Sequence, residues 1–443
     1  MSRRVLMIAA SFPPENSAGV HRTARFCRML PEFGWTPIVL TKSPDDGAVR
    51  PEWLAGVSVT RVTEGGTAAG SNGRAAEVAA SEKIPAKRDW KAAIGPLRDL
   101  ARNARELLVE TPDKSVSWSR RVRSVAKDLA QTNQVDAIYT TGPPHSTHLV
   151  GRSLKRGMGL PWIADFRDPW ARRPWGPKEQ NPWGQRMLWR YEQQCVLDAD
   201  LVVLNTSRMA QEFREHYHRL PAERFVSIPN GWDPDLADVI QQFCNDAESA
   251  RASMPKGALR ICHPGSLYRK RDPRVVIDAI EILKRRGVNV CFEQIGHCEN
   301  ESDVREHVRR LGLEASIEFR PQMPHREVLR RMADADAFLL IQPGTPTQVP
   351  GKLFEMIQYR RPIVAVADPG ETADIIAKYR LGAVAASHNA DEIAGAIEAA
   401  ALRTAGESMR PDWAGVLDSA DGRRLTGELS EALNASTAKG RRS

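Results

Sequence analysis

The sequence predicts an α/β protein built from two doubly wound domains, each with a largely parallel sheet between layers of helices. A chain of 443 residues is long for one domain, so two domains of ordinary size are expected. Short apolar segments alternate with longer amphipathic segments through both halves, as they do in successive βαβ units. The segment Ile228-Pro-Asn-Gly-Trp-Asp233 interrupts this alternation, which places a domain boundary just after it.

The first half begins with a strand. A short apolar run ends at Ser11-Phe-Pro-Pro14 and lacks the long apolar core of a signal peptide, so it is expected to be part of the fold. Further strands are predicted at residues 37–41, 57–62, 137–140, 162–166, 201–204 and 225–228, after the first at 5–10. Helices are predicted at 20–33, 91–109, 117–131, 146–156, 184–197 and 208–216. Residues 64–86 contain few large apolar side chains, which predicts a mobile loop.

The second half repeats the alternation. Strands are predicted at residues 259–263, 289–295, 316–319, 336–341 and 362–366. Helices are predicted at 273–286, 301–312, 325–333, 352–361 and 391–402. Open α/β sheets bind ligands at the carboxyl ends of their strands, so two such sheets facing one another would enclose a cleft.

The formal net charge of +8 indicates attraction to an acidic partner. Nucleic acid is not expected, because no RNP, zinc-finger or helix-turn-helix signature occurs and aromatic residues make up only 6% of the chain. A diphosphate-bearing substrate and an anionic membrane surface both fit the charge. The basic residues of the first half form either solvated helix faces or a membrane contact; they are Lys83, Lys87, Arg88, Lys91, Arg98, Arg102, Arg105, Arg120, Arg121 and Arg123.

The six cysteines show no C-x-x-C pair and no zinc-ligand spacing. This usage is typical of a reduced, cytosolic protein. No apolar run approaches the roughly 18–20 residues that a membrane-spanning helix requires. The expected location is therefore the cytoplasm, with peripheral contact at the inner face of the cell membrane as an additional option.

Lys352 and Glu355 lie one helical turn apart at the start of a short predicted helix. Unpaired N–H groups at a helix start favour anions, and a lysine adds a mobile point charge beside them. Glu355 could accept hydrogen bonds from two adjacent sugar hydroxyls. A phosphate site beside a polyol site would suit a nucleotide-sugar, whereas a plain i,i+3 ion pair on a surface helix is the alternative.

Three consecutive cations, Arg269, Lys270 and Arg271, follow Gly265 and precede a predicted helix for which Asp272-Pro273 is a suitable N-cap and first residue. Cations at a helix N-terminus oppose the macrodipole unless an anion is bound there. A diphosphate would remove this conflict. The alternative is three solvent-exposed charges.

Three loops of the first half carry polar residues after strands. Gly19 and His21 follow the first strand; without G-x-G-x-x-G, a dinucleotide site is not expected there. His145 is expected to be exposed in a loop, where it could bind a sugar hydroxyl or move a proton, and Ser146 is expected to cap the next helix. In Asp165-Phe-Arg-Asp168 we expect hydroxyl binding organised by Arg167, since a lone D-x-x-D is weak evidence for a metal.

Together these loops resemble the GT-B glycosyltransferases, and more closely the retaining family 4 of bacterial polysaccharide pathways. The matching segments occur in the family's order and cover nearly the whole chain; they are Ser11-Phe-Pro-Pro, Ser17-Ala-Gly, Gly142-Pro-Pro-His-Ser-Thr-His, Asp165-Phe-Arg-Asp-Pro-Trp, Pro229-Asn-Gly-Trp-Asp, Gly265-Ser-Leu-Tyr and Lys352-Leu-Phe-Glu.

The resemblance implies a GT-B fold of two Rossmann-like domains. Residues 1–232 would form the acceptor-side domain, 233–410 the domain that binds the nucleotide-sugar, and 411–436 a helix that crosses back to the first domain. It implies no metal and no cofactor, because protein cations and helix N-termini hold the donor diphosphate. By the same resemblance Glu355 would bind the donor ribose, Arg271 would take the place of a phosphate-binding lysine, and the backbone of Gly19 would contact the diphosphate.

Two positions depart from the family pattern. Thr347 stands where a first glutamate is usual, and Ser266 stands where an arginine usually pairs with the lysine. The lost glutamate is a strong acceptor for donor-sugar hydroxyls. We expect Lys352, with Arg269 or Lys270, to replace the lost arginine.

The expected activity is transfer of a sugar from a UDP- or GDP-sugar to a glycan or lipid-linked acceptor, with retention and without a metal. His145, Asp168, Arg271 and Lys352 are the expected catalytic residues, with the two cations stabilising the leaving diphosphate. Gly19, Gly265, Arg269, Lys270 and Glu355 are expected at the donor, and His21, Asp165 and Arg167 at the acceptor or sugar. The alternatives are a degenerate GT-B protein that binds without transfer and a nucleotide-sugar epimerase on a similar scaffold.

Overall fold

The computed structural model describes residues 2–15, 18–43, 52–63, 68–69, 111–172, 182–251, 258–268, 270–403 and 410–440. The helices are α1 (Ala18–Met29), α2 (Val116–Thr132), α3 (Thr147–Met158), α4 (Pro182–Asp198), α5 (Ser207–His216), α6 (Ala237–Arg251), α7 (Arg274–Arg285), α8 (Glu301–Arg310), α9 (His325–Ala333), α10 (Gly351–Met356), α11 (Glu371–Lys378), α12 (Ala390–Arg403), α13 (Trp413–Ser419) and α14 (Gly422–Gly440). None of these helices is long and apolar enough to cross a membrane.

The strands of the first sheet are β1 (Arg3–Ile8), β2 (Trp35–Lys42), β3 (Ser58–Val62), β4 (Ala68–Ala69), β5 (Ala137–Gly142), β6 (Trp162–Phe166), β7 (Leu201–Leu204) and β8 (Phe225–Ser227). Their order across the sheet is β4-β3-β2-β1-β5-β6-β7-β8. β1 pairs in parallel with β2 and β5, and β4 runs antiparallel to β3. The order reverses on either side of β1, so the loops after β1 and β5 lie at a topological switch point, where open sheets bind ligands.

The strands of the second sheet are β9 (Leu259–Pro264), β10 (Val290–Ile295), β11 (Ile317–Arg320), β12 (Ala337–Gln342), β13 (Ile363–Ala367) and β14 (Gly382–Ala385). Their order is β11-β10-β9-β12-β13-β14, and every paired strand runs parallel to its neighbour. Here the switch point lies between β9 and β12. The loops after these two strands hold Gly265 and Gly344 respectively.

The core of the second sheet shows the period of two that a strand covered on both faces requires. Leu339 and Ile341 of β12 pack into one hydrophobic cluster with residues of α7 and α12. Phe338 and Leu340, the alternate residues, pack into a second cluster with residues of α6 and α9. Both faces are therefore buried, and this explains why the strand is an unbroken apolar run in the sequence.

The chain divides into two compact units. One contains Met1–Val203 together with Ser430–Ser443, and the other contains Leu204–Leu429. Within the first unit, the end of α14 is fastened to the start of the chain, because Oδ1 of Asn434 accepts hydrogen bonds from Arg3 at 2.7 Å and from Nε1 of Trp35 at 3.1 Å. The predicted division at residues 232 and 410 stays a prediction.

The two parallel α/β sheets confirm the predicted fold class, and the differences are local. Three elements of the second half, α6, α11 and β14, are not predicted from the sequence. In α6 only Ile240, Phe243 and Ala247 form the buried stripe, which is too sparse to stand out from its polar neighbours. The predicted helix at 91–109 lies outside the described residues, as does most of the predicted loop at 64–86, of which Ala68–Ala69 forms β4.

Both predicted helix caps differ in detail. Ser146 occupies the N-cap of α3, but its side chain makes no capping bond; its hydroxyl donates instead to Asp113 at 2.7 Å. Pro273 is the N-cap of α7 rather than its first residue. Asp272, the residue before this N-cap, nevertheless accepts a hydrogen bond from the backbone N–H of Arg274 at 3.0 Å.

Candidate functional site

The ammonium group of Lys352 lies directly over Gly265. Gly265 follows β9 and has φ of +132°, a conformation that side chains rarely allow. A Cβ at this position would collide with Nζ of Lys352, so the missing side chain makes room for the cation. Burial and, after it, the charge of Arg271 lower the pKa of Lys352 to about 7, although Glu355 opposes the shift. A bound anion would offset both the burial and the repulsion.

Arg271 is held in place at the end of β12. Its Nη2 donates to Oε1 of Gln342 at 2.6 Å, and its guanidinium lies 4.8 Å from the ring centroid of Tyr268. The Gln342 side-chain amide donates in turn to Oγ1 of Thr345 at 2.6 Å. Gln342 is buried. The structure thus brings together Arg271 and Lys352, which the sequence predicts to act on one anion.

The floor of this site consists of polar residues at the ends of otherwise apolar strands. His263 in β9 is fully buried, and its Nδ1 lies 2.9 Å from the carbonyl oxygen of Leu339. Burial, reinforced by the charge of Lys352, places the pKa of His263 well below its usual range, so the imidazole is neutral. Gln294 in β10 donates to the carbonyls of Gly265 and Gly296, each at 3.0 Å, and fixes the glycine loop.

Glu355 is oriented by a histidine that the sequence analysis did not single out. Nε2 of His325, at the start of α9, lies 3.1 Å from Oε1 of Glu355. Burial alone would lower the pKa of His325, but the hydrogen bond and charge of Glu355, with a contribution from Asp233, raise it overall. The pair keeps one carboxylate oxygen in a fixed position. The ribose contact of Glu355 stays a prediction.

The loop after β12 lies under a third cation. Lys270 is exposed, and its Nζ would be 2.9 Å from a Cβ placed on Gly344, which has φ of +69°. The N–H of Gly344 donates to Oδ2 of Asp368 at 2.7 Å. Further along this loop, the carbonyl of Thr347 accepts from the hydroxyl of Thr206 at 2.6 Å. Arg269, the other predicted donor contact beside Lys270, lies outside the described residues.

In the first unit Asp165 is the centre of a buried network. Arg22 donates to both carboxylate oxygens, at 2.9 and 3.0 Å. Tyr139 and Thr141 donate to Oδ2 at 2.5 and 2.9 Å. Burial alone would raise the pKa of Asp165, but the charge and hydrogen bond of Arg22, with the hydrogen bond of Tyr139, lower it overall. Asp165 is fully buried, so this geometry leaves no exposed oxygen for the predicted contact with a sugar.

The expectation that His145 is exposed is wrong. His145 is fully buried, and its ring stacks on Trp170 with centroids 5.1 Å apart and planes 13° apart. Its neighbour His148 stacks on Phe166 at 4.4 Å, and Nδ1 of His148 lies 2.8 Å from the hydroxyl of Thr140. Burial lowers the pKa of His148 to about 3, so this ring is neutral and structural. The catalytic role of His145 stays a prediction.

Gly19 and Arg167 meet at the switch point of the first sheet. A Cβ on Gly19 would lie 3.0 Å from Nη2 of Arg167, so the glycine admits the guanidinium. Arg167 donates from Nε to the carbonyl of Gly142 at 3.3 Å and also to that of Pro143. Burial lowers the pKa of Arg167, although Asp168 and Asp165 oppose this. Asp168 is half-buried and His21 is exposed.

The predicted residues thus form one group in each unit. Gly19, His21, His145, Asp165, Arg167 and Asp168 belong to the first unit, and Gly265, Lys270, Arg271, Lys352 and Glu355 belong to the second. In the part of the chain that the structure describes, no three His, Cys, Asp or Glu residues are grouped so as to hold a metal ion. His263, Gln294, His325 and Gln342 were not predicted as site residues. The signal for His263, Gln294 and Gln342 is a polar residue near the end of a strand, whereas His325 is the first residue of α9.

Two family models match adjoining parts of this chain. The model described as "Glycosyl transferase 4-like domain" matches residues 18–231, and the model described as "Glycosyl transferases group 1" matches residues 229–409. A D-inositol 3-phosphate glycosyltransferase from Corynebacterium aurimucosum is 25% identical over 213 residues, which cover 47% of this chain. The matched segment spans half the length of that relative.

Solved structures with the same fold cover almost the whole chain. A glycosyltransferase from Rickettsia africae superposes with a TM-score of 0.62 at 12% identity, covering 98% of each chain. The Anabaena protein HepE, crystallised with UDP and glucose, superposes with a TM-score of 0.61 at 16% identity and covers 97% of this chain and 99% of its own. At these identities the likeness concerns the fold.

Proposed function

Because the chain belongs to the GT4-like glycosyltransferases of the GT-B fold, we propose that it transfers a sugar from a nucleotide-sugar donor to a glycan or lipid-linked acceptor. The observation that carries the proposal is the pairing of Lys352 with Arg271 at the carboxyl ends of the second sheet. Two half-buried cations brought together repel each other, and the repulsion is relieved when an anion lies between them. A donor diphosphate has the required charge.

The proposed reaction proceeds with retention. The bond between the anomeric carbon and the diphosphate oxygen breaks, and its electron pair stays on the diphosphate. The acceptor oxygen bonds to the anomeric carbon from the same face, and its proton passes to the departing phosphate. Negative charge on the diphosphate grows as the bond breaks, so Arg271 and Lys352 stabilise the transition state more than the bound donor. In this scheme the two protein cations take the part that a divalent ion takes in other transferases.

Two groups would hold the nucleotide besides Arg271 and Lys352. The backbone of Gly265 would lie beside the diphosphate, next to the ammonium of Lys352, which occupies the space of the missing side chain. Glu355, fixed by His325 at 3.1 Å, would accept hydrogen bonds from the ribose hydroxyls. UDP is the first nucleotide to test because the similar Anabaena structure contains it; GDP is the second.

The acceptor is proposed to be a glycan or a lipid-linked molecule. A lipid-linked acceptor would bring the protein to the inner face of the cell membrane, as a cytoplasmic protein with peripheral contact. Arg120, Arg121 and Arg123 on one exposed part of α2 would attract anionic lipids. The other seven basic residues predicted for this contact lie outside the described residues.

A second candidate is a degenerate GT-B protein that binds a nucleotide or glycan without transferring a sugar. Thr347 and Ser266 favour it, since neither supplies the charge that is usual at its position. The two candidates differ in one measurable property. Both predict nucleotide binding, and only the first predicts release of nucleoside diphosphate that depends on an acceptor.

A donor panel tests the proposal. Purified protein is incubated with UDP- and GDP-sugars and a lipid extract or glycan acceptor, and the released diphosphate and glycosylated product are measured together. We expect activity in the wild type, a loss of about 100-fold or more in Lys352→Ala, and partial activity in Lys352→Arg, on the order of what one transition-state donor contributes. Binding without product in every combination would favour the degenerate protein. Unchanged rate and donor affinity in Lys352→Ala would refute the assigned diphosphate site.

A further inference from the structure

A lysine without an acidic partner lies against the loop that follows β12. The exposed side chain of Lys270 covers Gly344 so closely that a Cβ on Gly344 would be 2.9 Å from Nζ and 3.0 Å from Cδ. Within the residues that the structure describes, this ammonium forms no ion pair. A long, flexible side chain held over a glycine loop with no counter-charge is suited to binding an anion that arrives with a ligand.

The carboxylates near Lys270 and the donor site are engaged elsewhere. Asp368 accepts from the N–H of Gly344 at 2.7 Å through Oδ2 and from the hydroxyl of Ser387 at 3.1 Å through Oδ1. Glu355 accepts from His325 at 3.1 Å. Within the described residues, neither carboxylate forms an ion pair with Lys270, and each accepts a hydrogen bond from a different donor.

Lys270 is also separate from the two cations assigned to the diphosphate. Lys352 lies over Gly265 in the loop after β9, whereas Lys270 lies over Gly344 in the loop after β12. The charge that repels the ammonium of Lys352 is that of Arg271. The guanidinium of Arg271 in turn donates a hydrogen bond to Gln342. Among the described residues, Lys270 is therefore a cation beyond the diphosphate pair, and its side chain lies against the loop that leads to Thr347.

We propose that Lys270 binds the carboxylate of an acidic donor sugar, so that the donor is a nucleotide-linked uronate rather than a neutral hexose. This inference rests on the proposed function and names the substrate class of its donor site. Thr347 supports it, because an uncharged side chain on this loop presents no like charge to a sugar carboxylate. The transfer at the anomeric carbon is unchanged, and no oxidant is needed because the sugar arrives already as an acid.

Matched donors that differ only at C6 test the inference. Isothermal titration and initial rates compare UDP-glucose with UDP-glucuronate, UDP-galactose with UDP-galacturonate, and GDP-mannose with GDP-mannuronate. The variants are Lys270→Gln, which removes the charge, and Lys270→Arg, which keeps it. Lys284→Gln is the matched control, since it removes the same charge from the end of α7, where Nζ donates to the carbonyl of Gly312.

We expect kcat/KM for one uronate donor to exceed that of its neutral partner by about 10-fold or more. Lys270→Gln should abolish this preference by weakening only the uronate, whereas Lys270→Arg and Lys284→Gln should retain it. Transfer from a neutral sugar with no uronate preference would overturn the inference and leave the proposed function standing. Equal losses for both donors of a pair in Lys270→Gln would also overturn it, and would assign Lys270 to the diphosphate. Failure of every donor and of free UDP and GDP to bind would defeat both proposals.

Discussion

The guanidinium of Arg271 donates to the side-chain oxygen of Gln342 at 2.6 Å, and this bond joins the loop after β9 to the end of β12, the two strands at the switch point of the second sheet. The amide of Gln342 cannot turn over freely, because its nitrogen donates to Thr345 at 2.6 Å. Arg271 is therefore held before any ligand arrives. A cation fixed in this way needs little reorganisation as charge develops on a leaving group.

Gln342→Leu should impair Arg271 without removing it. The substitution keeps the volume and deletes both hydrogen bonds, so we expect donor KM to rise and kcat to fall, with kcat/KM reduced roughly 10- to 100-fold. Steady-state kinetics over a range of donor concentrations measures this. Gln342→Glu is the matched control, since it still accepts from Arg271; it should retain more activity than the leucine variant. Equal activity of wild type and Gln342→Leu would show that Arg271 needs no such support.

Donor affinity should depend on pH through Lys352. Its pKa in the free protein is about 7, and a bound diphosphate favours the charged form and raises this pKa, so binding above pH 7 takes up a proton. Affinity should be constant below this pH and should weaken as the pH rises through it, by up to about 10-fold per pH unit. Titration calorimetry from about pH 6.5 to 8.5 with the best-bound donor checks the slope.

Lys352→Arg is the control for this pH dependence, since a guanidinium stays charged throughout the range. We expect its affinity for the donor to be nearly independent of pH. A wild-type slope that persists in Lys352→Arg would assign the titration to another group. A wild type with no slope at all would contradict a lysine pKa near 7.

The sequence was sufficient to place Lys352 and Arg271 near one another, because parallel strands bring their carboxyl ends to one edge of a sheet. His263 and Gln342 could not be assigned in this way. Their roles depend on β9 lying beside both β10 and β12, and strand neighbours far apart in sequence cannot be inferred from local periodicity. Each also ends an apolar strand, where a single polar residue has little effect on the pattern.

The burial of loop residues also could not be predicted from the sequence. His145 and Asp165 follow strands, as functional residues often do, yet both are fully enclosed. The ring of His145 stacks on Trp170. The carboxylate of Asp165 accepts hydrogen bonds from Arg22, Tyr139 and Thr141. A sequence shows that a carboxylate needs a partner, but it does not show whether the partner comes from the protein or from a ligand.

Glu355→Gln should reveal whether this residue binds the ribose. Glutamine keeps an acceptor but loses the charge that strengthens hydrogen bonds to hydroxyls, so we expect UDP affinity to fall roughly 10-fold. The affinity of 2′,3′-dideoxyuridine diphosphate should already be low and should change little in the variant, because the hydroxyl partners are absent. Calorimetry with both ligands on the wild type and the variant gives the coupling free energy between Glu355 and the ribose hydroxyls. If Glu355→Gln weakens both ligands equally, the residue acts on the fold of the site and not on ribose.

Asp165→Asn should destabilise the first unit, because it leaves the buried Arg22 without a counter-charge. Breaking a buried ion pair in this way typically costs about 3–5 kcal/mol of unfolding free energy. Because the folded pKa of Asp165 is depressed below 3.8, the ion pair stabilises the protein above that value and is lost as pH falls through the folded pKa. Urea denaturation at neutral pH measures the loss. The exposed pair of Asp418 with Arg424 is the control, and Asp418→Asn should change stability by less than about 1 kcal/mol.

Gly265→Ala tests whether the glycine loop and Lys352 form one site. The new methyl group would meet Nζ of Lys352 and would also be strained by φ of +132°, so we expect donor binding to fall below detection by calorimetry. Gly287→Ala tests backbone strain without the collision: its φ of +79° is also positive, but a Cβ there meets nothing within 4 Å. That control should lose about 1–2 kcal/mol of stability and keep its donor affinity. Wild-type affinity in Gly265→Ala would mean that Lys352 moves away without consequence, and the diphosphate would then have to bind elsewhere.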